Sequence, residues 1–144
     1  MFLYLMRHGH AEDFAPSDGE RSLTEKGRAR SQEAAEAFLI EKKWDLPNKL
    51  VSSELRRAAQ TAEIVKDILG IRDLKFVDVQ VLLNWESMRT YLSDEPILFV
   101  GHQPALGAII EGLTGQAVRV KKASIHKLDY DPILDKASYI DFIE

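Results

Sequence analysis

The sequence predicts an α/β fold of three layers, in which helices cover both faces of a mostly parallel central sheet and an antiparallel hairpin follows. Short apolar runs alternate along the chain with stretches in which apolar residues recur every three or four positions, as strands and helices do in βαβ units. Two late segments alternate apolar with polar residues, which indicates a hairpin with one face in water. No linker or repeat interrupts the chain, so residues 1–144 are predicted to form one domain.

Six segments have the composition of strands. Phe2–Met6 and Pro96–Val100 are apolar throughout, as expected of parallel strands buried on both faces. Leu50–Ser52 is brief, and Lys75–Val79 is a weaker candidate. The predicted hairpin comprises Ser124–Asp129 and Ser138–Phe142.

Helical periodicity fills the intervals between these strands. One helix runs from its cap at Thr24 to about Glu41, and a second runs from Leu55 until Gly70 stops it. A short helix is predicted within 84–92, and Pro104 suits the first turn of another. Residues 11–22 are polar and contain proline and glycine, which predicts a loop.

The composition excludes several classes of function. The chain has no cysteine, which rules out disulfides, thiolate chemistry and cysteine zinc sites. Its apolar stretches are far shorter than the roughly 20 residues of a membrane span. With 19 Lys and Arg against 23 Asp and Glu, its net charge of −4 gives no overall basic footprint for nucleic acid or an anionic membrane. We therefore expect a cytoplasmic protein that binds neither nucleic acid nor membrane.

Histidine and arginine residues follow three of the predicted strands. Arg7 and His8 end the first strand, Arg56 and Arg57 lie in the helix after the second, and His102 follows the fourth. Because ligands of such sheets bind beyond the carboxyl ends of the strands, these side chains are expected to line one cationic pocket. Arginine forms bidentate contacts with phosphate, so a phosphoryl group is the expected guest.

The chemistry of this set favours phosphoryl transfer without a metal or other cofactor. Neutral imidazole is a good nucleophile toward phosphorus, and guanidinium groups can neutralise the phosphoryl oxygens. Gly9 would let the backbone approach the phosphoryl group without an intervening Cβ. The helix after His102 would direct its free N–H groups to the same place. The pattern predicts a covalent phosphohistidine on His8, which water hydrolyses in a second step.

Four segments resemble, in order, the motifs of the histidine phosphatase (phosphoglycerate mutase-like) superfamily. Arg7-His8-Gly9 resembles its RHG signature, and residues 23–27 (LTEKG) resemble its LTxxG helix start. Residues 53–62 (SELRRAAQTA) are similar to its SPLxRAxQTA segment, and residues 101–104 (GHQP) to its second-histidine GHNP segment. The short chain most resembles the SixA-type phosphohistidine phosphatases.

This resemblance implies roles for individual residues. It makes His8 the nucleophile, and it makes Arg7, Arg57 and His102 ligands of the phosphoryl group. Arg21 stands where the SixA-type pattern often has an arginine, so it is a further candidate phosphate contact. Many members carry a general acid after the third strand, and only Glu86, out of the usual register, is available here. A phosphoester needs its leaving alkoxide protonated, whereas phosphohistidine can leave as neutral imidazole, so a missing acid favours P–N substrates.

Two other departures lie at Glu54, where the family usually has proline, and at Gln103, where it often has asparagine. Neither replaces a predicted phosphate ligand.

Several alternatives remain at this point. The same His8 chemistry could act on a small-molecule phosphoester, with Glu86 as the acid, and a catalytically weak phosphate-binding signalling module is a third reading. A receiver-type domain is excluded because the first strand does not end in acidic residues. A metal site at His8, His10 and Glu12 lacks a convincing fourth ligand.

The remaining candidates are interpreted as structural. We expect this of His10 and His126, while Arg56 is interpreted as a solvated helix residue and Lys121 and Lys122 as a solvated turn.

Overall fold

The computed structural model describes all residues from Met1 to Glu144 and contains one sheet of six strands. The strands are β1 (Phe2–Arg7), β2 (Lys49–Ser53), β3 (Asp73–Val77), β4 (Ile97–Gly101), β5 (Ile125–Asp131) and β6 (Lys136–Ile143). Their order across the sheet is β3-β2-β4-β1-β5-β6. Neighbours among β3, β2, β4 and β1 are parallel, and β5 and β6 add an antiparallel hairpin beside β1. The predicted mostly parallel sheet with a late hairpin is therefore confirmed.

Four α-helices connect the strands: α1 (Glu25–Glu36), α2 (Arg56–Leu69), α3 (Trp85–Met88) and α4 (Ala105–Thr114). Helix α1 continues as a π-helical segment over Ala37–Lys42, and 3₁₀ turns occupy Asp18–Glu20, Val79–Leu83 and Arg89–Tyr91. None of these helices combines the length and the apolar character that crossing a membrane requires.

Helices cover both faces of the sheet, which explains the continuous apolar runs of its central strands. On β1, Tyr4 packs with the buried side chains of α1 and α2, whereas Leu5 packs with those of α3 and α4. On β4, Leu98 and Phe99 divide between the two faces in the same way, and both are fully buried. Each such apolar side chain stabilises the fold by about 2 kcal/mol, so the two central strands anchor both layers of core.

Local chemistry defines where helices begin and end. The Thr24 side chain accepts a hydrogen bond from the Gly27 N–H and caps α1, as the sequence predicts. Gly70, at φ 70°, adopts the left-handed conformation that ends α2. Pro104 caps α4 instead of lying in its first turn.

The weak strand prediction at Lys75–Val79 is displaced by two residues. Strand β3 begins at Asp73 and ends at Val77, and the Asp78 carboxylate caps the following 3₁₀ turn by accepting from the Gln80 N–H at 2.8 Å. As an edge strand, β3 pairs only with β2, and that pairing decides its ends. The chain from 84 to 92 forms only one α-helical turn before a 3₁₀ turn, so this predicted helix is shorter than expected.

Candidate active site

The carboxyl edge of the parallel strands brings together the four principal candidates from the sequence. Arg7 ends β1, His8 follows it, His102 follows β4, and Arg57 lies in the first turn of α2 after β2. The centroids of the His8 and His102 rings lie 5.1 Å apart. The backbone N–H of His8 donates to the backbone carbonyl of Gly101 at 3.2 Å. His8, Arg57 and His102 are only 9%, 8% and 8% exposed. Three distant segments thus form one recessed, positively charged site.

The hydrogen bonding of His8 defines which ring nitrogen is available. Its Nδ1 lies 2.7 Å from the Gly9 carbonyl oxygen. A carbonyl can only accept, so Nδ1 carries the hydrogen and Nε2 keeps a lone pair with no partner in the protein. Burial lowers the pKa of His8 to about 3; the Gly9 hydrogen bond opposes this shift, and the charges of His102, Arg57 and Arg7 add to it. At neutral pH the side chain is therefore an uncharged imidazole with a free Nε2.

Ser53, to which the sequence assigns no role, holds the ring of His102. The His102 Nε2 lies 2.7 Å from the Ser53 hydroxyl, which is fully buried and has no other acceptor. The hydroxyl therefore donates to Nε2, leaving the hydrogen on Nδ1. Burial, followed by the charge of Arg57, lowers the pKa of His102 to about 4, while Asp18 opposes the shift. His102 is thus a neutral N–H donor at physiological pH.

Arg7 carries an unsatisfied donor. Its Nη1 donates to the Val120 carbonyl at 3.1 Å, whereas its Nε, which solvent does not reach, has no hydrogen-bond partner. Buried donors are rarely left unpaired, because the lost hydrogen bond costs about 1–3 kcal/mol. The Arg7 guanidinium thus keeps one donor that the folded chain leaves unsatisfied.

Asp18 approaches the site from the loop before α1. Arg57 donates through Nη1 to the Asp18 carbonyl at 2.9 Å and through Nη2 to its carboxylate at 3.2 Å. Arg21 donates to the same carboxylate at 3.1 Å and to the Glu12 carbonyl at 2.6 Å. The hydrogen bond from Arg21 and then the charge of Arg57 lower the pKa of Asp18. Arg21, a candidate phosphate contact in the sequence, therefore bonds to the loop that holds Arg57. Asp18 was not among the candidates from the sequence, yet it binds Arg57 at the site.

Close packing against α1 requires glycine at position 9. A Cβ there would lie 2.8 Å from both the Gly27 carbonyl oxygen and the Ser31 hydroxyl of α1. The Gly9 N–H already donates to the Thr61 hydroxyl at 3.1 Å, which in turn donates to the Arg57 carbonyl at 2.8 Å. The absent side chain thus makes room for α1, and a contact between Gly9 and a phosphoryl group stays a prediction.

The N-terminal turn of α4 satisfies two of its own N–H groups. The Leu106 N–H donates to the His102 carbonyl at 3.0 Å, and the Gly107 N–H donates to the Gln103 side-chain oxygen at 2.7 Å. These two donors are satisfied within the chain, whereas the Ala105 N–H has no partner in the protein, so an anion contact at this turn stays a prediction.

Glu86 is exposed on α3 and makes no hydrogen bond or ion pair. It is absent from the charges that shift the pKa of His8 or His102. Its role as an acid stays a prediction. The Arg56 side chain donates only to the Glu20 carbonyl, at 3.2 Å. It makes no hydrogen bond with the four central residues of the site, which are Arg7, His8, Arg57 and His102.

The two other histidines make structural contacts. His10 places Nδ1 2.9 Å from the Thr24 hydroxyl that caps α1. His126, almost fully buried, bridges the Ser124 hydroxyl at 2.8 Å and the Tyr139 hydroxyl at 2.7 Å. Burial lowers the pKa of His126 to about 4. These contacts agree with the structural role expected of both residues from the sequence.

No group of three histidine, aspartate or glutamate side chains lies close enough together to hold a metal ion. In particular, His8, His10 and Glu12 do not form such a group.

Comparisons with solved structures identify the fold. The protein histidine phosphatase SixA, solved in complex with tungstate, is 22% identical to this chain. The alignment covers 100% of this chain and 97% of the SixA chain, with a TM-score of 0.84. SixA from Agrobacterium tumefaciens is 24% identical over 99% of this chain and 97% of its own, with a TM-score of 0.84. The phosphoserine phosphatase from Entamoeba histolytica in complex with 3-phosphoglyceric acid is 15% identical over 99% of this chain and 96% of its own, with a TM-score of 0.70. The fold is therefore the phosphoglycerate mutase-like fold.

A search of curated proteins finds no match. The sequence profile of the histidine phosphatase superfamily (branch 1) matches residues 3–86, which include Arg7, His8 and Arg57. That match spans more than half of the chain, and so the protein belongs to the histidine phosphatase superfamily, branch 1.

Proposed function

We propose that this protein is a phosphatase that removes the phosphoryl group from phosphohistidine on another protein, through a covalent phosphohistidine on His8. Membership of the superfamily supports phosphatase activity. The observation that carries the proposal is the state of His8, a neutral imidazole with a free Nε2 beside two arginines and an N–H donor on His102. This is the arrangement that nucleophilic attack on a dianionic phosphoryl group needs.

In the first step, Nε2 of His8 attacks phosphorus while the P–N bond of the substrate breaks. The electron pair of that bond returns to the substrate's ring nitrogen, and a substrate ring protonated on its other nitrogen leaves as neutral imidazole. Arg7, Arg57 and the Nδ1–H of His102 bind the phosphoryl oxygens and neutralise their charge. The Gly9 carbonyl, 2.7 Å from Nδ1 of His8, stabilises the positive charge that the phosphorylated ring acquires.

In the second step, water attacks the phosphorus atom held on His8. The P–Nε2 bond breaks and its electron pair returns to Nε2. Inorganic phosphate leaves with the oxygen and a proton of the water, and the other proton passes to solvent. Nδ1 keeps its hydrogen on the Gly9 carbonyl throughout, so the ring is ready for another cycle.

The surroundings of the site favour a P–N over a P–O substrate. An alkoxide leaving group needs a proton from a positioned acid. Asp18 is held in its ionised form by Arg21 and Arg57, and Glu86 is exposed and makes no contact with the four central residues. A phosphohistidine leaving group needs neither carboxyl, which supports this substrate class.

The test is the hydrolysis of a phosphohistidine protein beside a panel of small phosphoesters, with EDTA present throughout. We expect rapid loss of phosphohistidine, slow ester turnover and no effect of EDTA. His8→Ala should abolish turnover and the acid-labile phosphoenzyme, while circular dichroism shows a folded chain. Near-normal turnover in this variant would refute the mechanism.

Other outcomes point to the alternatives. Faster turnover of a small phosphoester than of phosphohistidine would move the function to small molecules, with Glu86→Gln then expected to slow the reaction. Tight tungstate binding without turnover of any substrate would indicate a phosphate-binding signalling module. Inactivation by EDTA would contradict metal independence.

A further inference from the structure

A basic groove opens beside the active site. It has a volume of about 520 Å³ and is lined in part by His10 and by Arg7, whose charge acts on His8 and His102. We name this cavity the basic groove. Besides Arg7, its cationic side chains are Lys26, Arg30, Arg119, Lys121 and Lys122. All five are exposed. The mechanism uses none of them.

The groove is built by two elements that meet at the active site. Lys26 and Arg30 lie one turn apart on α1, so both side chains fall on the same face of that helix. The other three cations come from the loop between α4 and β5. This loop is fixed to the site, because the carbonyl of Val120 accepts from Nη1 of Arg7 at 3.1 Å. Any molecule lying in the groove would therefore reach the phosphoryl site.

The lining of the groove carries six lysine and arginine side chains and one carboxylate, although the chain as a whole has a net charge of −4. Lys121 pairs with Glu144 at 3.5 Å, and Glu144 is the one carboxylate that lines the groove. The other four cations form no ion pair. Like charges held together repel one another, and an anionic partner relieves that repulsion.

We propose that the basic groove docks an acidic surface of the protein that carries the phosphohistidine, a proposal that rests on the function proposed above. The phosphoryl group itself is accommodated by Arg7 and Arg57, so five further cations exceed what a small phosphoester needs. The groove offers no phenylalanine, tyrosine or tryptophan on which a nucleotide base could stack. Long, exposed lysine and arginine side chains suit a broad, solvated acidic surface and accelerate encounter with it.

Two synthetic phosphohistidine peptides of equal length test this docking, one with glutamate and the other with glutamine flanking the phosphohistidine. The groove variant is Lys26→Gln/Arg30→Gln/Lys122→Gln. The control variant, Arg72→Gln/Lys75→Gln/Lys136→Gln, loses the same three positive charges from exposed positions away from the groove. None of these six side chains makes a hydrogen bond or ion pair in the structure.

We expect the wild-type protein to prefer the glutamate peptide by about tenfold in kcat/KM, since three exposed charge pairs each contribute a few-fold. The preference should arise from KM and fall as salt is added. It should vanish in the groove variant and persist in the control variant, and both variants should hydrolyse the glutamine peptide at the wild-type rate. A preference that survives in the groove variant, or that falls equally in the control, would overturn the docking surface.

Binding of the unphosphorylated glutamate peptide, measured by fluorescence anisotropy, separates this proposal from the catalytic one. If neither phosphopeptide is hydrolysed, the proposed function fails. Peptide binding that is lost only in the groove variant would still support the acidic docking surface. Equal binding by all three proteins would overturn it.

Discussion

Three buried histidines should make the fold sensitive to mild acid. Burial lowers the pKa of His8 to about 3 and those of His102 and His126 to about 4. In the unfolded chain each regains a pKa of about 6.5. Between these values the unfolded chain binds more protons than the folded one, so stability is fully present above about pH 6.5 and falls as the pH falls below it.

The magnitude follows from the number of protons taken up on unfolding. Near pH 5.5, an unfolded histidine is about nine-tenths protonated, whereas each of these three is neutral in the fold. Three such groups lower the free energy of unfolding by about 4 kcal/mol between about pH 6 and pH 5. A typical domain has only about 5–15 kcal/mol in total, so this loss is a large fraction of its stability.

Urea unfolding followed by circular dichroism measures this effect, at about pH 7, 6 and 5 and constant ionic strength. His8→Asn removes one of the three titrating groups and keeps a side-chain N–H for the Gly9 carbonyl. It should reduce the pH dependence by about one third.

A free energy of unfolding that changes by less than about 1 kcal/mol between pH 6 and pH 5 would refute the reasoning. It would mean that these histidines accept protons without unfolding. If the free energy of unfolding of His8→Asn depends on pH as strongly as that of the wild type, His8 does not contribute to the effect and the other two histidines account for it.

Further predictions concern the phosphoryl site. Arg57→Ala should weaken competitive inhibition by tungstate by about 10- to 100-fold, since it removes charge-assisted hydrogen bonds; Arg56→Ala is the matched control and should leave inhibition unchanged. Asp18→Asn should tighten tungstate inhibition a few-fold, because it removes the carboxylate that neutralises Arg57; weaker inhibition would show that Asp18 is needed to position the guanidinium. Ser53→Ala should lower kcat about tenfold by releasing the orientation of His102, with Ser53→Thr restoring part of it because a hydroxyl is kept; failure of threonine to restore activity would contradict a role in hydrogen bonding.

Periodicity and turn chemistry predict the elements whose signals are local. The apolar run of β4, the Thr24 cap of α1 and the Gly70 stop of α2 all lie where the sequence predicts them. The predictions weaken where pairing decides the outcome, as in β3, whose register against β2 shifts its ends by two residues.

The locations of the site residues follow the same division. Arg7, His8 and His102 could be brought together from sequence because parallel strands present their carboxyl ends at one edge. The contact between Asp18 and Arg57 could not be predicted from sequence, because it depends on the path of a loop. The prediction of one cytoplasmic domain stays a prediction.

The amino-acid sequence alone shows which residue types reach the carboxyl edge of the sheet, and four ordered motifs were sufficient to identify the superfamily. The protonation and tautomeric states of those residues depend on how the chain folds around them. Burial makes His8 and His102 neutral, and the Gly9 carbonyl and the Ser53 hydroxyl select their tautomers. The basic groove likewise joins residues about ninety positions apart, from 26 and 30 to 119–122, in a chain of net negative charge. Composition averages charge over the whole chain, whereas recognition and catalysis depend on the field at one place, and folding alone defines that field.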